Sequence, residues 1–256
     1  MKKIIAFLIR FVPRKYLQLV GGAGLKVTGA LFYRGTSVSC PVCDHQYRIF
    51  LPYGRINTRP NALCPNCLSL ERHRLIYRYL QAKTSFFNKA QAVLHIAPEA
   101  CFIPRFEKIH GAAYITADIE SPLAKVKMDI HQIPFEDNRF DVVLCNHVLE
   151  HVRDDIQAMR EIYRVLKPGG FAILQVPFFN PVQEQTFEDN NITDKRERER
   201  IFGQDDHVRK YGHDYLQRIR QAGLQAIEEN FVNELSEAER QRFGLVKGEI
   251  IYIGKK

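Results

Sequence analysis

The segment VLHIAPEACF, Val93 to Phe102, decides the fold, because it has the pattern of a strand that turns into a helix. An apolar run through Ile96 stops at Ala97-Pro98, and apolar residues then recur at helical spacing. Nucleotide-binding turns of this kind usually contain Gly-x-Gly, since glycine lets the backbone approach a ligand closely. Both glycines are absent here. The segment is therefore either an altered cofactor-binding turn or an ordinary connection between a strand and a helix.

Strand-like and helix-like segments alternate from residue 92 onward. The predicted strands are Val93–Ala97, Ala113–Ala117, Val126–Met128, Phe140–Cys145 and Phe171–Val176, and the predicted helices are Glu99–His110 and Asp154–Leu166. Acidic residues begin the second helix and Pro-Gly-Gly follows it, which is typical of helix boundaries. This alternation predicts an α/β fold, a mostly parallel and doubly wound sheet with helices on both faces. Ligands of such sheets bind beyond the carboxyl ends of the strands.

Two aspartates follow predicted strands at that edge. Asp118 closes the second strand, and a carboxylate there can accept hydrogen bonds from both hydroxyl groups of a ribose. Asp129 closes the short third strand, where it is placed to bind the amino group of an adenine. The two positions together predict a nucleoside ligand.

A resemblance to a known family starts at Val93 and is most specific after Met128. The run MDIHQIPFEDNRFDVVLCNHVLEHVRDDIQAMREIYRVLKPGGFAILQVP, residues 128–177, resembles class I S-adenosylmethionine-dependent methyltransferases of the type 11 group in order and spacing. The resemblance implies S-adenosylmethionine as cofactor. It also implies a Rossmann-like sheet of seven strands whose last strand is antiparallel, with residues 224–231 and 248–254 forming the last two.

The resemblance aligns VLHIAPEA with the family's usual LDIGCGTG. His95 then replaces the acidic residue, Ala97 the first glycine and Glu99 the second. We predict that the turn still binds the cofactor, with Glu99 contacting its ammonium group. The cofactor contacts expected on this basis are His95, Ala97, Pro98, Glu99, Asp118, Ile119, Asp129, Ile130, Cys145, Asn146 and His147.

Candidate catalytic residues lie in two later segments. A hydroxyl acceptor benefits from a general base, and His147 and His207 are the candidates for this role. Arg209 and Tyr211 are further candidates to bind or deprotonate the acceptor, although a structural role is an equal alternative for each. The insert over residues 178–210 is predicted to form a lid over the acceptor pocket, and Phe178 and Phe179 either face the sulfonium or pack in the core.

The segment HVLEH, His147 to His151, also matches H-x-x-E-H, the inverted metalloprotease pattern. On a helix, His147 and His151 would share a face and could bind zinc. The segment directly follows a predicted strand, which favours a loop at the cofactor edge instead. In that loop, Glu150 and His151 are expected to orient the backbone, and the alternative that the resemblance implies is a divalent ion near such residues, as in a few related enzymes.

Four of the six cysteines form two C-x-x-C pairs, CPVC and CPNC. The pairs are Cys40 with Cys43 and Cys64 with Cys67. Two such pairs around a turn-rich insert predict a zinc ribbon with four thiolate ligands, and four thiolates leave zinc no open position for chemistry. The ion is therefore expected to be structural, and a redox dithiol is the alternative. His45 and His73 are not expected to be ligands.

The residues around the second pair predict local structure. A strand is expected over Tyr47–Leu51, and SLERHRLIYRYLQA after the cysteines has the pattern of a helix with Ser69 as N-cap. Leu70, His73, Ile76, Tyr77 and Leu80 are predicted to form its inward face. Its arginines, Arg72, Arg74 and Arg78, are expected on a solvated face, with contact to phosphates as the alternative.

The charge is concentrated at the amino end of the chain. The net charge is +8, and residues 1–43 contain seven basic residues and no acidic one. The rest is nearly neutral, which argues against a uniformly basic nucleic-acid surface. Residues 1–20 alternate basic and apolar residues without a signal-peptide cleavage site. This arm is expected either to dock on the chain's own core or to contact an anionic membrane surface or nucleic acid.

We therefore predict a basic arm over residues 1–36, a zinc ribbon and helix over residues 37–84 and a methyltransferase domain over residues 88–256. The preferred function is methyl transfer to a small molecule or a sugar or glycan acceptor in the cytoplasm, with peripheral contact on the inner face of the membrane as an option. The alternatives are an RNA methyltransferase acting on ribosomal RNA and a non-catalytic binding protein of the same fold.

Overall fold

The computed structural model describes residues 24, 26, 29, 31–54 and 58–256 of the chain. The arm predicted over residues 1–36 lies largely outside the described residues, and the proposed membrane contact at residues 1–20 lies outside them entirely. No helix among the described residues combines the length and the apolar character needed to cross a membrane. The chain divides into two compact units. Among the described residues, the first unit comprises those up to residue 88 together with 99–105 and 230–249, and the second comprises 89–98, 106–229 and 250–256.

The elements of the described residues are numbered in chain order. The strands are β1 (Val38–Ser39), β2 (Gln46–Tyr47), β3 (Leu51–Tyr53), β4 (Arg59–Leu63), β5 (Val93–Ile96), β6 (Tyr114–Asp118), β7 (Val126–Lys127), β8 (Phe140–Asn146), β9 (Leu166–Gln175), β10 (Phe187–Glu188), β11 (Arg209–Lys210), β12 (Gln225–Glu229) and β13 (Ile251–Lys255). The helices are α1 (Glu71–Lys83), α2 (Ile103–His110), α3 (Asp155–Val165), α4 (Lys195–Phe202), α5 (Tyr215–Gln221), α6 (Phe231–Glu234) and α7 (Glu237–Phe243).

The first unit contains two short antiparallel hairpins, β1 with β2 and β3 with β4. The strand predicted over Tyr47–Leu51 is wrong, because Tyr47 ends β2 and Leu51 begins β3. Phe50 lies at the break between them and is fully buried. Its N–H donates to the side-chain oxygen of Asn61 at 2.8 Å, so a side chain replaces the missing strand partner.

Helix α1 buries the face that the sequence predicts, but its polar residues differ from prediction. The N-cap is Leu70 instead of Ser69, and the N–H of Leu70 donates to Nδ1 of His73 at 3.0 Å. Arg74 is fully buried, so its predicted place on a solvated face is wrong. It lies one helical turn after Leu70, and the helical period therefore places it on the apolar face. Its guanidinium donates to the backbone oxygens of Ala62, Ser69, Phe243 and Gly244.

Residues 230–249, which connect β12 to β13, fold with the first unit. A capping box begins helix α7: Ser236 Oγ accepts the N–H of Glu239 at 3.2 Å, and Glu239 Oε2 accepts the N–H of Ser236 at 3.0 Å. Within this unit Lys83 forms an ion pair with Glu234 at 2.6 Å. The connection between the last two strands thus serves as packing for helix α1.

The second unit contains a sheet of seven strands in the order β12-β13-β9-β8-β5-β6-β7. The pairs from β9 to β7 are all parallel. Strand β13 is antiparallel to both of its neighbours, β12 and β9. This order confirms the predicted Rossmann-like α/β fold with an antiparallel last strand.

Helices cover both faces of this sheet. Successive residues of a strand point to opposite faces, so the contacts of neighbouring residues show which helix covers each face. Leu94, Val143 and Ala172 share one row of the sheet and pack in a core cluster with residues of α3 and α5. On the opposite face, the ring of His95 lies 6.4 Å from that of Phe106 in α2. The doubly wound arrangement predicted from the alternation of elements is therefore present.

Strand β9 begins earlier than predicted, at Leu166 instead of Phe171. Its pairing with β8 passes from Phe140–Leu166 to Val142–Phe171, so the Pro-Gly-Gly segment bulges out of the ladder. The bulge explains why residues typical of a helix stop lie inside a strand.

Candidate functional site

The carboxyl ends of β5, β6 and β8 lie side by side, because these strands are parallel neighbours. Two residues at this edge, Ala97 after β5 and His147 after β8, have φ angles of 48° and 54°. Residues other than glycine rarely adopt this left-handed conformation, which costs them about 1–2 kcal/mol. Such strain concentrates at functional sites. This edge is the candidate cofactor site.

Asp118 ends β6 at this edge, and the loop that follows fixes its carboxylate. Its Oδ1 accepts the N–H groups of Glu120 and Ser121 at 2.7 and 2.6 Å. The next side chain, Ile119, is 64% exposed, which is unusual for a large apolar residue. An oriented carboxylate beside exposed apolar surface fits a ligand that combines a ribose with an adenine ring.

Asp129 follows β7 and is held in a similar way. Its Oδ1 accepts the N–H of His131 at 2.9 Å and lies 2.7 Å from the Nδ1 of the same residue. These contacts with His131 lower the pKa of Asp129, so it is ionised at neutral pH. The next residue, Ile130, is buried.

The turn after β5 keeps its shape without glycine. Ala97 adopts the left-handed conformation that a glycine usually supplies, and its N–H donates to the carbonyl of Ala117 at 2.9 Å. His95 is fully buried, and its Nδ1 lies 2.6 Å from the hydroxyl of Tyr114. Only the backbone of His95 is therefore available for the predicted cofactor contact. Pro98 is also buried.

Glu99 does not begin a helix, contrary to prediction, because α2 starts at Ile103. Residues 99–102 form a turn closed by the N–H of Phe102 and the carbonyl of Glu99 at 3.0 Å. Within the first unit, the Glu99 carboxylate lies 3.7 Å from Nε2 of His73. Its predicted contact with the cofactor's ammonium group stays a prediction.

His147 projects from the end of β8, and its N–H donates to the carbonyl of Gln175 at 2.7 Å. The two residues before it, Cys145 and Asn146, are buried, whereas the His147 side chain is 30% exposed. The residues after it form turns and not a helix, so the helical H-x-x-E-H zinc site is excluded. His147 instead contacts Glu150, with Nδ1 and Oε1 3.2 Å apart.

Glu150 is 1% exposed and has two more histidines beside it. Its Oε1 lies 4.0 Å from Nε2 of His151. Burial tends to raise the pKa of Glu150, but the contacts with His147 and His151 lower it below its ordinary value. The ring of His207 packs against that of His151 with 4.7 Å between centroids, and burial lowers the pKa of His207. The structure thus brings together the two histidines predicted to be catalytic bases through Glu150 and His151.

His207, Arg209 and Tyr211 alternate along the chain around β11, and all three are buried. Arg209 donates to the carbonyl oxygens of Leu149, Val152 and Arg153. These contacts favour the structural alternative for Arg209, since the guanidinium holds the loop after β8.

Tyr211 is the third catalytic candidate, and its hydroxyl donates to Oδ2 of Asp155 at 2.9 Å. Burial raises the pKa of Tyr211 well above its ordinary value, so the phenol keeps its proton. These contacts give Tyr211 a structural position beneath the loop, and a direct catalytic role stays a prediction.

Sequence reasoning missed the ion pair around Asp155. This residue is 1% exposed, and Arg218 donates to its two oxygens at 2.6 and 2.9 Å. Burial tends to raise the pKa of Asp155, but Arg218 and Arg209 lower it below its usual range. The partners are far apart in sequence, and no local pattern in the chain indicates the pair.

Phe178 and Phe179 differ in their surroundings. The ring of Phe178 packs against those of Tyr215 and Tyr252 at 6.0 and 5.3 Å, which is core packing. The ring of Phe179 lies 6.4 Å from His207, beside the cluster around Glu150.

The four cysteines of the first unit converge as predicted. Their sulfur atoms all lie within 4.8 Å of one another. The distances from Cys40 to Cys67 and from Cys43 to Cys64 are 3.6 and 3.7 Å. A tetrahedral zinc with Zn–S bonds of about 2.3 Å requires sulfur atoms about 3.8 Å apart. The cluster therefore fits a zinc ribbon.

The two cysteine pairs have the same backbone geometry. The N–H of Asp44 donates to the carbonyl of Cys40, and that of Leu68 donates to the carbonyl of Cys64, at 2.8 and 3.0 Å. Asp44 and Leu68 have φ angles of 61° and 62°. Ser69 is not the N-cap that the sequence predicts for helix α1. Its Oγ lies 3.2 Å from the sulfurs of both Cys40 and Cys67.

Comparisons with known proteins agree with this architecture. Residues 105–174 match a family model described as a methyltransferase domain. The chain is 31% identical to the ubiquinone/menaquinone biosynthesis C-methyltransferase UbiE of Haemophilus ducreyi, over 48% of this chain and 56% of the relative. It is 28% identical to the tRNA U34 carboxymethyltransferase of Nautilia profundicola, over 51% of this chain and 40% of the relative. The chain thus spans about half the length of these curated relatives.

Among solved structures, a SAM dependent methyltransferase from Archaeoglobus fulgidus is 16% identical and aligns over 71% of this chain and 93% of that chain, with a TM-score of 0.44. The family match and the relatives confirm the resemblance to S-adenosylmethionine-dependent methyltransferases. Residues 105–174 thus resemble a methyltransferase domain, within a Rossmann-like sheet, and the first unit contains a four-cysteine cluster that fits a zinc ribbon.

Proposed function

We propose that the protein transfers a methyl group from S-adenosylmethionine to an acceptor bound at the carboxyl edge of the sheet. The observation that carries the proposal is Asp118, whose carboxylate is fixed by two backbone N–H groups at the end of β6, beside the exposed Ile119. This pair matches the ribose and the adenine of the cofactor. The left-handed Ala97 keeps the turn after β5 in the shape that glycine usually provides.

When bound, S-adenosylmethionine supplies a methyl group on a positively charged sulfur. The leaving group is good, so the protein's main tasks are to position the acceptor and to accept its proton. His147 is our candidate base because it is part-exposed at the edge and contacts Glu150, which orients its ring. His207 is more deeply buried and supports the same cluster.

The acceptor we propose is a small molecule or a sugar, methylated in the cytoplasm with peripheral membrane contact through residues 1–20. UbiE, named for ubiquinone and menaquinone biosynthesis, supports a small-molecule acceptor. The tRNA carboxymethyltransferase supports RNA as the second candidate. Binding of RNA that weakens steeply with added salt would favour RNA over a small molecule.

We also propose that the four cysteines hold one structural Zn²⁺. The sulfur spacing fits tetrahedral coordination, and Ser69 Oγ lies 3.2 Å from the sulfurs of Cys40 and Cys67, so its one O–H can donate to either thiolate. With all four positions filled by protein, the ion would stabilise the ribbon and take no part in methyl transfer.

The cofactor proposal is tested by calorimetric titration of the zinc-loaded protein with S-adenosylmethionine and S-adenosylhomocysteine. Replacing Asp118 with alanine is expected to weaken binding about 10- to 100-fold, because charge-assisted hydrogen bonds to the ribose are lost. Asp189→Ala is the matched control: Asp189 also accepts a local backbone N–H, from Asn191 at 2.8 Å, but follows the short strand β10 in the insert after β9. A folded wild-type protein that binds neither ligand would leave only the non-catalytic alternative.

A further inference from the structure

Three side chains of the second unit converge beside His147 without forming a closed set of hydrogen bonds. Glu150, His151 and His207 each offer one ligand atom, and these atoms lie within 4.8 Å of one another. Glu150 and His207 are 1% and 0% exposed, and the side chain of His151 is 33% exposed. The cluster is thus buried on one side and open to solvent on the other.

The backbone around the cluster determines which nitrogen of each histidine faces it. Nδ1 of His207 lies 3.1 Å from the carbonyl oxygen of Phe202, and Nδ1 of His151 lies 3.3 Å from that of Asp206. A carbonyl oxygen can only accept a hydrogen bond, so each Nδ1 carries the proton. In both neutral rings Nε2 therefore keeps its lone pair, which is the form that binds a metal ion.

Two atoms of the cluster are unsatisfied. Among the described residues, Glu150 Oε2 and His207 Nε2 are buried and have no hydrogen-bond partner. An unsatisfied buried polar atom costs about 1–3 kcal/mol, and more when the group is charged. A buried carboxylate and a buried imidazole lone pair are both acceptors, so they cannot satisfy each other. A cation between them would satisfy both.

We propose that Glu150, His151 and His207 bind one divalent transition-metal ion, such as Mn²⁺, Co²⁺ or Zn²⁺. Two imidazole nitrogens and one carboxylate favour these ions over Mg²⁺ and Ca²⁺, which prefer oxygen ligands alone. Three protein ligands leave further positions open, and the exposed side of His151 gives access to them. The site is separate from the four-cysteine cluster. It shares His151 with the excluded helical pair but takes Glu150 and His207, and not His147, as its other ligands.

The loop that carries two of the ligands is held in place from beneath. Arg209 donates to backbone oxygens on both sides of Glu150, and the N–H of Val208 donates to the carbonyl of Glu150 at 2.9 Å. Val208 directly follows His207, so this bond ties the third ligand to the other two. Fixed ligands of this kind require little rearrangement when an ion binds.

The test measures metal binding alone. The full chain is dialysed against a chelator until one zinc per chain remains, which the four thiolates are expected to retain. It is then titrated with Mn²⁺, Co²⁺ and Zn²⁺, with calorimetry for affinity and elemental analysis for stoichiometry. The expected result is one additional ion per chain for at least one of the three metals. No second equivalent with any of them would overturn the proposal.

Variants assign the ligands. His151→Ala, at the exposed side of the cluster, is expected to weaken this second site at least about 10-fold while the first zinc is kept. His207→Gln is the second variant, in case the first does not fold. His213→Ala is the matched control, because His213 is exposed in the same segment and lies outside the cluster. Unchanged metal affinity in both folded ligand variants would also overturn the proposal. Metal binding is measured separately from cofactor binding and from methyl transfer. Failure of methyl transfer would therefore leave the result on the second metal ion intact.

Discussion

The ribbon and the sheet edge use the same backbone device for different purposes. In the ribbon, Asp44 and Leu68 take the left-handed conformation directly after a cysteine pair, with φ angles of 61° and 62°. At the sheet edge, Ala97 and His147 take it directly after a strand, with φ angles of 48° and 54°. All four lack the freedom of glycine, so the surrounding structure must hold each of them.

The difference lies in what each pair of turns leaves open. In the ribbon both turns close on themselves through matching hydrogen bonds, and the four sulfur atoms face one another. At the edge the turns redirect the chain at the end of a strand, and the side chains of Ile119 and His147 remain accessible. A closed set of ligands suits a structural ion, whereas an accessible edge suits a cofactor and an acceptor.

The largest expected effect comes from removing one of the four cysteine ligands of the ribbon. Cys40→Ser removes one of four thiolates, and binding of a structural zinc contributes about 10–16 kcal/mol to the folding of small zinc domains. We expect the variant to lose its zinc and the ribbon to unfold, as measured by elemental analysis and by hydrogen exchange of the residues around Cys43 and Cys64.

The control for this prediction is Cys101→Ser, since Cys101 is a buried free cysteine of the same unit outside the cluster. It should keep one zinc per chain and the protected ribbon. Full zinc content and unchanged exchange in Cys40→Ser would refute the assignment of the ribbon as a closed metal site.

The closed region was also the easier one to predict from sequence. Four cysteines in two pairs identify their own partners, because the spacing within each pair is local and the residue type is rare. The alternation of strands and helices and the capping box at Ser236 were predictable for a similar reason, since both depend on short-range periodicity or spacing. The antiparallel last strand came from the family resemblance.

The polar contacts that build the edge could not be predicted in this way. Arg209 binds carbonyl groups of a loop more than fifty residues before it, and Asp155 pairs with Arg218 across a similar separation. Arg74 is the instructive error: its helical position indicated the buried face, but its charge suggested solvent. Where a charged residue finds enough backbone acceptors, helical position outweighs residue type.

A second prediction concerns the opposite end of β5, which anchors the edge. The N–H of Gln91 donates to Nδ1 of His110 at 3.2 Å, and burial lowers the pKa of His110 from 6.5 to about 4. The unfolded chain therefore binds a proton more readily than the folded one. The stability from this group should be complete above pH 6.5 and decline as the pH falls towards 4, by up to about 3 kcal/mol.

Urea unfolding at pH 7.5 and pH 4.5 measures this loss. His110→Gln should reduce the difference between the two pH values relative to the wild type, whereas His213→Gln, at an exposed position, should leave it unchanged. An equal pH dependence in wild type and His110→Gln would show that His110 titrates normally in the folded chain.

The smallest effect tests the strain itself. Ala97→Gly should stabilise the protein by about 0.5–1 kcal/mol, because relief of the left-handed conformation, worth about 1–2 kcal/mol, exceeds the entropy that glycine adds to the unfolded state. Asp44→Gly should give no such gain, since aspartate tolerates this conformation and its carboxylate forms an ion pair with Arg105. Ala100→Gly, an exposed position without positive φ, should be slightly destabilising. Urea unfolding of the three variants ranks them. If Ala97→Gly is no more stable than Ala100→Gly, the left-handed conformation of Ala97 is not strained. The turn at the sheet edge would then differ from the ribbon turns in its energy as well as in its accessibility.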